Sequence, residues 1–118
     1  MLSELFQSRV RIHALRDSHA GGLFEGFSQA LSETGYATIT ARRHLRAAEH
    51  FIYWTHRHSL PVRDLNLQSL ARFELHLNRC RCPHYGHANK EDVSRGAGVF
   101  LAYLQDAFVN LTWLTLII

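Results

Sequence analysis

Apolar residues recur at helical spacing in four stretches of the chain, and only the tail hints at the period of two that marks a half-buried strand. Between Leu23 and Glu33, the residues Leu23, Phe24, Phe27, Ala30 and Leu31 share one side, and Gly35 stands where a left-handed glycine would end a helix. The longest patterned stretch is Thr38 to His58, TITARRHLRAAEHFIYWTHRH. Its stripe of Ala41, Leu45, Ala48, Phe51, Ile52 and Thr55 faces a core, and Thr38 or Thr40 is placed to cap it. Ser59-Leu60-Pro61 stops it, since proline cannot continue a helix. A third helix is expected over Leu67–Leu77, capped by Asp64 or Asn66, with Leu67, Leu70, Phe73 and Leu77 apolar. The fourth runs from about Asn89 to Asp106 and buries Val93, Ala97, Phe100, Leu101 and Leu104. A short helix through Glu4–Leu15, with Leu5, Val10 and Ile12 half buried, precedes a joint at Ala20-Gly21-Gly22. The fold class is therefore all-α, a compact bundle of four main helices. In it Leu45, Ala48, Ile52, Phe73, Leu77, Val93, Phe100 and Leu104 come together, because the apolar stripes have no other surface to cover. This divides the chain into a lead (1–22), a helical core (23–106) and an apolar tail (107–118).

The polar side of the long helix changes the picture. Arg42, Arg46, His50, Tyr53 and Arg57 fall together there, with Arg43 at the margin, and Glu49 is the one acid of the stretch. Exposed helices usually mix signs, because acid–base pairs four residues apart support them. Here the i, i+4 neighbours of Arg42 and Arg46 are an arginine and a histidine, an arrangement that costs little only beside something negative. A solvated arginine-rich face is the bland alternative. Net charge of +3 and a pI near 9.2 favour an acidic partner, nucleic acid first, over a basic one. The apolar share of 47% is that of an ordinary globular chain, and 118 residues suffice for one core. No signal peptide is legible, and cytoplasmic location is expected.

Two further features ask for an explanation. Gly96 and Gly98 sit inside the fourth helix, where each costs about 1 kcal/mol relative to alanine. Close helix packing explains them better than close approach to a phosphate. The loop RCRCPHYGHAN offers Cys80, Cys82, His84 and His87 as zinc-competent side chains, and His76 could replace one of them. A Cys-x-Cys pair followed by His-x-x-His is cramped for one tetrahedral ion, and two cysteines one residue apart make a poor disulfide. The default for the loop is thus reduced, basic and metal-free, and no cofactor is called for.

The runs GFSQALSETGY, HLRAAEHFIYWTHRHSLPVRDLNLQSLARFELHL, RCRCP and GVFLAYLQ, in that order, resemble the N-terminal SAM-like, core-binding domain of bacterial tyrosine recombinases of the phage-integrase type. The resemblance covers about residues 20–106. It implies a module that clamps one side of a double-stranded DNA recombination site, in proteins that assemble as oligomers on DNA. It also implies that the second and fourth helices meet the duplex. That adds Lys90, Ser94 and Arg95 to Thr38, Thr40, Arg42, Arg43 and Arg46 as DNA-binding candidates, with Arg57 less central. In the family a separate catalytic domain carries the tyrosine nucleophile. Tyr36, Tyr53, Tyr85 and Tyr103 lie inside the helical region, so this chain is expected to bind DNA, not cut it. DAFVNLTWLTLII stands where a polar linker is expected, which suggests a truncated or frameshifted product, monomeric by itself. Phe108–Ile118 is too short to span a bilayer, which needs about 20 residues. A helical protein–protein interaction domain, zinc-stabilised in one version, is the competing reading.

Overall fold

The computed structural model describes residues 21–82 and 89–117, with the side chains of 108–117 left aside. Four α-helices fill it: α1 (Gly21–Thr34), α2 (Thr38–Arg57), α3 (Leu67–Leu77) and α4 (Lys90–Ile117). A single 3₁₀ turn, Val62–Asp64, joins α2 to α3, and no strand occurs among the described residues. The expected helix over Glu4–Leu15 lies outside those residues.

The helix ends follow from local chemistry. Gly35, at φ +91°, lets the Tyr36 N–H reach back to the Leu31 carbonyl (3.2 Å) and its own N–H reach that of Ser32 (3.1 Å). This pair of bonds closes α1 and aims the chain into α2 within three residues. Because the turn is so tight, Ala37 takes the N-cap position with extended backbone and no side-chain cap. Thr38 and Thr40 are therefore already inside the helix, and neither caps it. At the far end Ser59 adopts the left-handed conformation (φ 55°), and the Leu60 N–H returns to the Thr55 carbonyl at 2.9 Å. The helix is thus closed before Pro61, which only bars its renewal. Asn66, not Asp64, caps α3 through a reciprocal pair: its Oδ1 accepts from the Ser69 N–H (3.0 Å), and Ser69 Oγ accepts from the Asn66 N–H (3.3 Å). Asn89 Oδ1 accepts from the N–H groups of Glu91 and Asp92 at the start of α4.

The central element is α2, enclosed on most of its circumference. Besides the expected stripe, Ala47 and Trp54 are buried. Its closest backbone approach is to α4, where an added Cβ on Gly96 would stand 2.6 Å from Ala47 Cβ and 3.1 Å from His44 Cα. That distance leaves room for glycine alone and accounts for a residue in α4 that helix propensity disfavours. Gly98 has no such reason, since its nearest neighbour would be Leu70 Cδ2 at an ordinary 3.7 Å. α3 meets α2 differently, through rings. Phe73 packs on Phe51 (5.0 Å), Trp54 (5.6 Å) and His50 (5.1 Å between centroids). Phe24 and Phe27 of α1 close the other end of the core on Phe100. The eight residues expected to be buried together are so, whereas Leu67 is 73% exposed because it begins α3 ahead of the buried turn. α4 continues past Asp106 without a break, since the sequence from Val99 to Ile117 holds neither glycine nor proline to stop it. From 107 to 117 the apolar tail continues this helix. No helix among the described residues is long and apolar enough to cross a membrane.

Candidate functional site

The first half of α2 carries the arginine face. Arg43 and Arg46 are exposed and Arg42 is half-buried. Among the described residues, neither Arg43 nor Arg46 has an ion-pair partner, whereas Arg42 is engaged. Thr38 is exposed and Thr40 half-buried in the first turn, beside N–H groups that no side-chain cap occupies. Helix dipole and open N–H groups thus add positive potential to the end where the arginines stand.

The α4 candidates divide. The Gly96 crossing brings exposed Arg95 close enough to α2 for its charge to act on His44, and Arg95 pairs only loosely with Asp92 (3.9 Å). Lys90 turns towards α3, donating to Asn78 Oδ1 at 3.1 Å. It shares with Ser94 and Arg95 an open groove of about 460 Å³ that Glu74 and Glu91 also line. Two carboxylates there offset the two cations, so the groove attracts phosphate less than the arginine face does. Arg57 belongs elsewhere: its guanidinium donates to Tyr53 Oη (3.2 Å) at the opposite end of α2.

His50 does not belong to the polar face. It is 2% exposed, edge-on to Phe73 and 5.9 Å from the His76 ring. The helical wheel of α2 alone places it outward, but α3 and the chain leaving α3 cover that side. There the structure assembles a cluster. His50 Nε2 lies 3.3 Å from Cys80 Sγ, and His76 Nε2 lies 3.3 Å from Cys82 Sγ. All four ligand-capable atoms fall within 4.8 Å of one another. Both thiols are free, and the Cys82 N–H donates to Cys80 Sγ at 3.4 Å. His84 and His87, the other zinc candidates, lie outside the described residues. Sequence spacing points to Cys80 and Cys82 and allows His76, one turn earlier. It cannot point to His50, which only the packing of α2 on α3 brings within reach.

Burial sets the charge states. Desolvation, then the charge of His76, pushes His50 down to about 4. His76 is lowered by desolvation and by His58. The Cys82 thiol is pushed up to about 11, first by burial and then by its bond to and charge from Cys80, with Arg57 opposing. His44, buried against α4, is lowered by desolvation and by Arg95, with Asp92 opposing. At neutral pH the histidines of the cluster are neutral bases with lone pairs to give.

The tyrosines have structural neighbours. Tyr36 packs on His44, Tyr53 on Arg57, and Tyr103 on Phe27 and Phe100, while Tyr85 lies outside the described residues. Comparison with family models, curated proteins and solved structures returns no match.

Proposed function

We propose that this chain is a helical module that binds double-stranded DNA, of the kind that holds one side of a recombination site for a tyrosine recombinase. The observation that carries the reading is the exposed Arg43–Arg46 pair on α2, with Arg95 of α4 brought to the same helix by the Gly96 crossing. Arginines at this density beside a helix N-terminus neutralise phosphates and release counterions, which supplies affinity without sequence information. One arginine turned to a guanine edge in the major groove would add specificity. The ordered sequence features that resemble the core-binding domain support the same reading, and the all-α bundle is compatible with it. In this reading the chain grips DNA, and the chemistry and the assembly into oligomers on the duplex belong to partners and to a catalytic domain. The nucleoid is then its place of work.

Fluorescence anisotropy with a random-sequence duplex tests the proposal. Between about 50 and 200 mM salt, three or more phosphate contacts give a log–log slope of about −2.7 or steeper. A slope near zero, or no binding at the lowest salt, would turn the arginine face over to an acidic protein partner.

A further inference from the structure

We infer that His50, His76, Cys80 and Cys82 form a structural zinc site that ties α2 to α3 and to the chain leaving α3. The site is independent of the DNA-binding reading. Zinc binds thiolate sulfur at about 2.3 Å and imidazole nitrogen at about 2.0–2.1 Å, nearly always in a tetrahedron. Those lengths give nitrogen–sulfur edges of about 3.5 Å and a sulfur–sulfur edge of about 3.8 Å. The two nitrogen–sulfur pairs already stand 3.3 Å apart, and the widest separation in the set is at most 4.8 Å. Closing on an ion therefore needs shifts of about 1 Å or less, within the rotamer freedom of two cysteines on an exit loop.

Three observations separate this set from a chance meeting of polar groups. First, the donors come from three separate places in the chain, and each presents its ligand atom inward: Nε2 from both histidines and Sγ from both cysteines. Second, the Cys82 N–H donates to Cys80 Sγ, the kind of outer bond that steadies a metal-bound thiolate. Third, His50 is a buried imidazole set edge-on against Phe73 and His76, where a leucine would pack without desolvation cost. Four protein ligands leave no open position, so the ion is structural and not a generator of hydroxide. Its effect falls where α2, the end of α3 and the exit loop meet. α3 meets α2 through rings rather than by close backbone approach, and the ion would fasten the end of α3, the exit loop and α2 at one point.

Cramped spacing, the obstacle for Cys-x-Cys followed by His-x-x-His, does not arise for this set. With His50 and His76 as the nitrogens, the loop supplies only Cys80 and Cys82, and the other two ligands come from α2 and α3.

The test uses the full chain, kept reduced and stripped with chelator, then titrated with cobalt(II) as a spectroscopic probe and with zinc. The expected result is one ion per chain, with the ligand-field bands of tetrahedral cobalt and a thiolate charge-transfer band. Zinc should displace the cobalt and raise the melting temperature. Cys82→Ser and His76→Gln should each weaken zinc binding at least about 100-fold, since even outer-shell losses cost about 10- to 100-fold. Both side chains are only half-buried, and circular dichroism of the metal-free variants should match that of the metal-free parent. Folded parent chain that takes up no cobalt or zinc overturns the inference. So does binding that survives His76→Gln and Cys82→Ser but disappears on replacing His84 and His87.

Discussion

His44 shows how a single residue records the packing around it. Its place on the α2 wheel, towards the apolar side, predicts a partly buried, hydrogen-bonded histidine rather than a DNA contact. It is 5% exposed with its ring edge-on to Tyr36, but the expected hydrogen bond is missing at one ring nitrogen. Nδ1 has no hydrogen-bond partner among the described residues. A neutral imidazole with its proton on Nε2 leaves only a lone pair unmet there, whereas the imidazolium would bury an N–H beside Arg95. The folded chain therefore binds this proton later than the unfolded chain does. Stability should be unaffected above the ordinary histidine value of about 6.5 and fall as pH drops below it, by no more than about 1.4 kcal/mol per pH unit from this group. Urea unfolding of the parent and of His44→Gln at about pH 7.5 and about pH 5.5, on either side of that value, checks this. The loss on acidification should be smaller in the variant, and equal losses would assign the effect to other groups. His50 teaches the complementary lesson. One helix's periodicity says which side a residue is on, but not whether a second element covers that side.

At the scale of elements, most of the fold is legible. Glycine at the end of α1, asparagine at the starts of α3 and α4, and apolar residues three and four apart place the starts of all four helices, and the ends of the first three, within a few residues. The features that are not legible depend on context. Neither threonine caps α2, because the Gly35 turn leaves no residue to spare before the helix and Ala37 falls at the cap. The sequence pattern ends α4 too early because an apolar tail reads as a break, although nothing in it breaks a helix. The two glycines of α4 separate propensity from packing. Gly96→Ala must move Ala47 and the backbone at His44, so the cost of overpacking, about 1–3 kcal/mol, should exceed the gain of about 1 kcal/mol in helix propensity. Gly98→Ala meets only Leu70 at van der Waals distance and should stabilise by up to about 1 kcal/mol. Thermal or denaturant midpoints read both, and a stabilising Gly96→Ala would mean that α2 and α4 are not in close contact.

For the molecule as a whole, charge is distributed along the axis of α2. Its N-terminal half offers Arg43 and Arg46 to the outside, its buried side runs from Ala41 to Thr55, and His50, just past its middle, faces the cysteine loop. One helix thus carries the arginine surface near its start and one ligand of the proposed zinc clamp further along. The surface is legible in sequence, because a run of arginines with a single acid is visible without a fold. The clamp is not, because His50 and Cys80 lie 30 positions apart. The division also explains why removing surface arginines should leave the fold alone. Both side chains point away from the core, and alanine is the better helix former.

The central claim, that the α2 arginine face meets the DNA backbone, is tested most directly by the salt dependence of duplex binding for Arg43→Ala/Arg46→Ala beside the parent chain. Every phosphate that an arginine no longer neutralises should flatten the log–log slope by about 0.9. The double variant should therefore bind more weakly, with a slope shallower by about 1.8 and helicity unchanged. If one arginine reads a guanine instead, the slope changes by about one unit, and about 1–3 kcal/mol of discrimination disappears at one base pair. Affinity and slope equal to those of the parent, with helicity preserved, would contradict the claim.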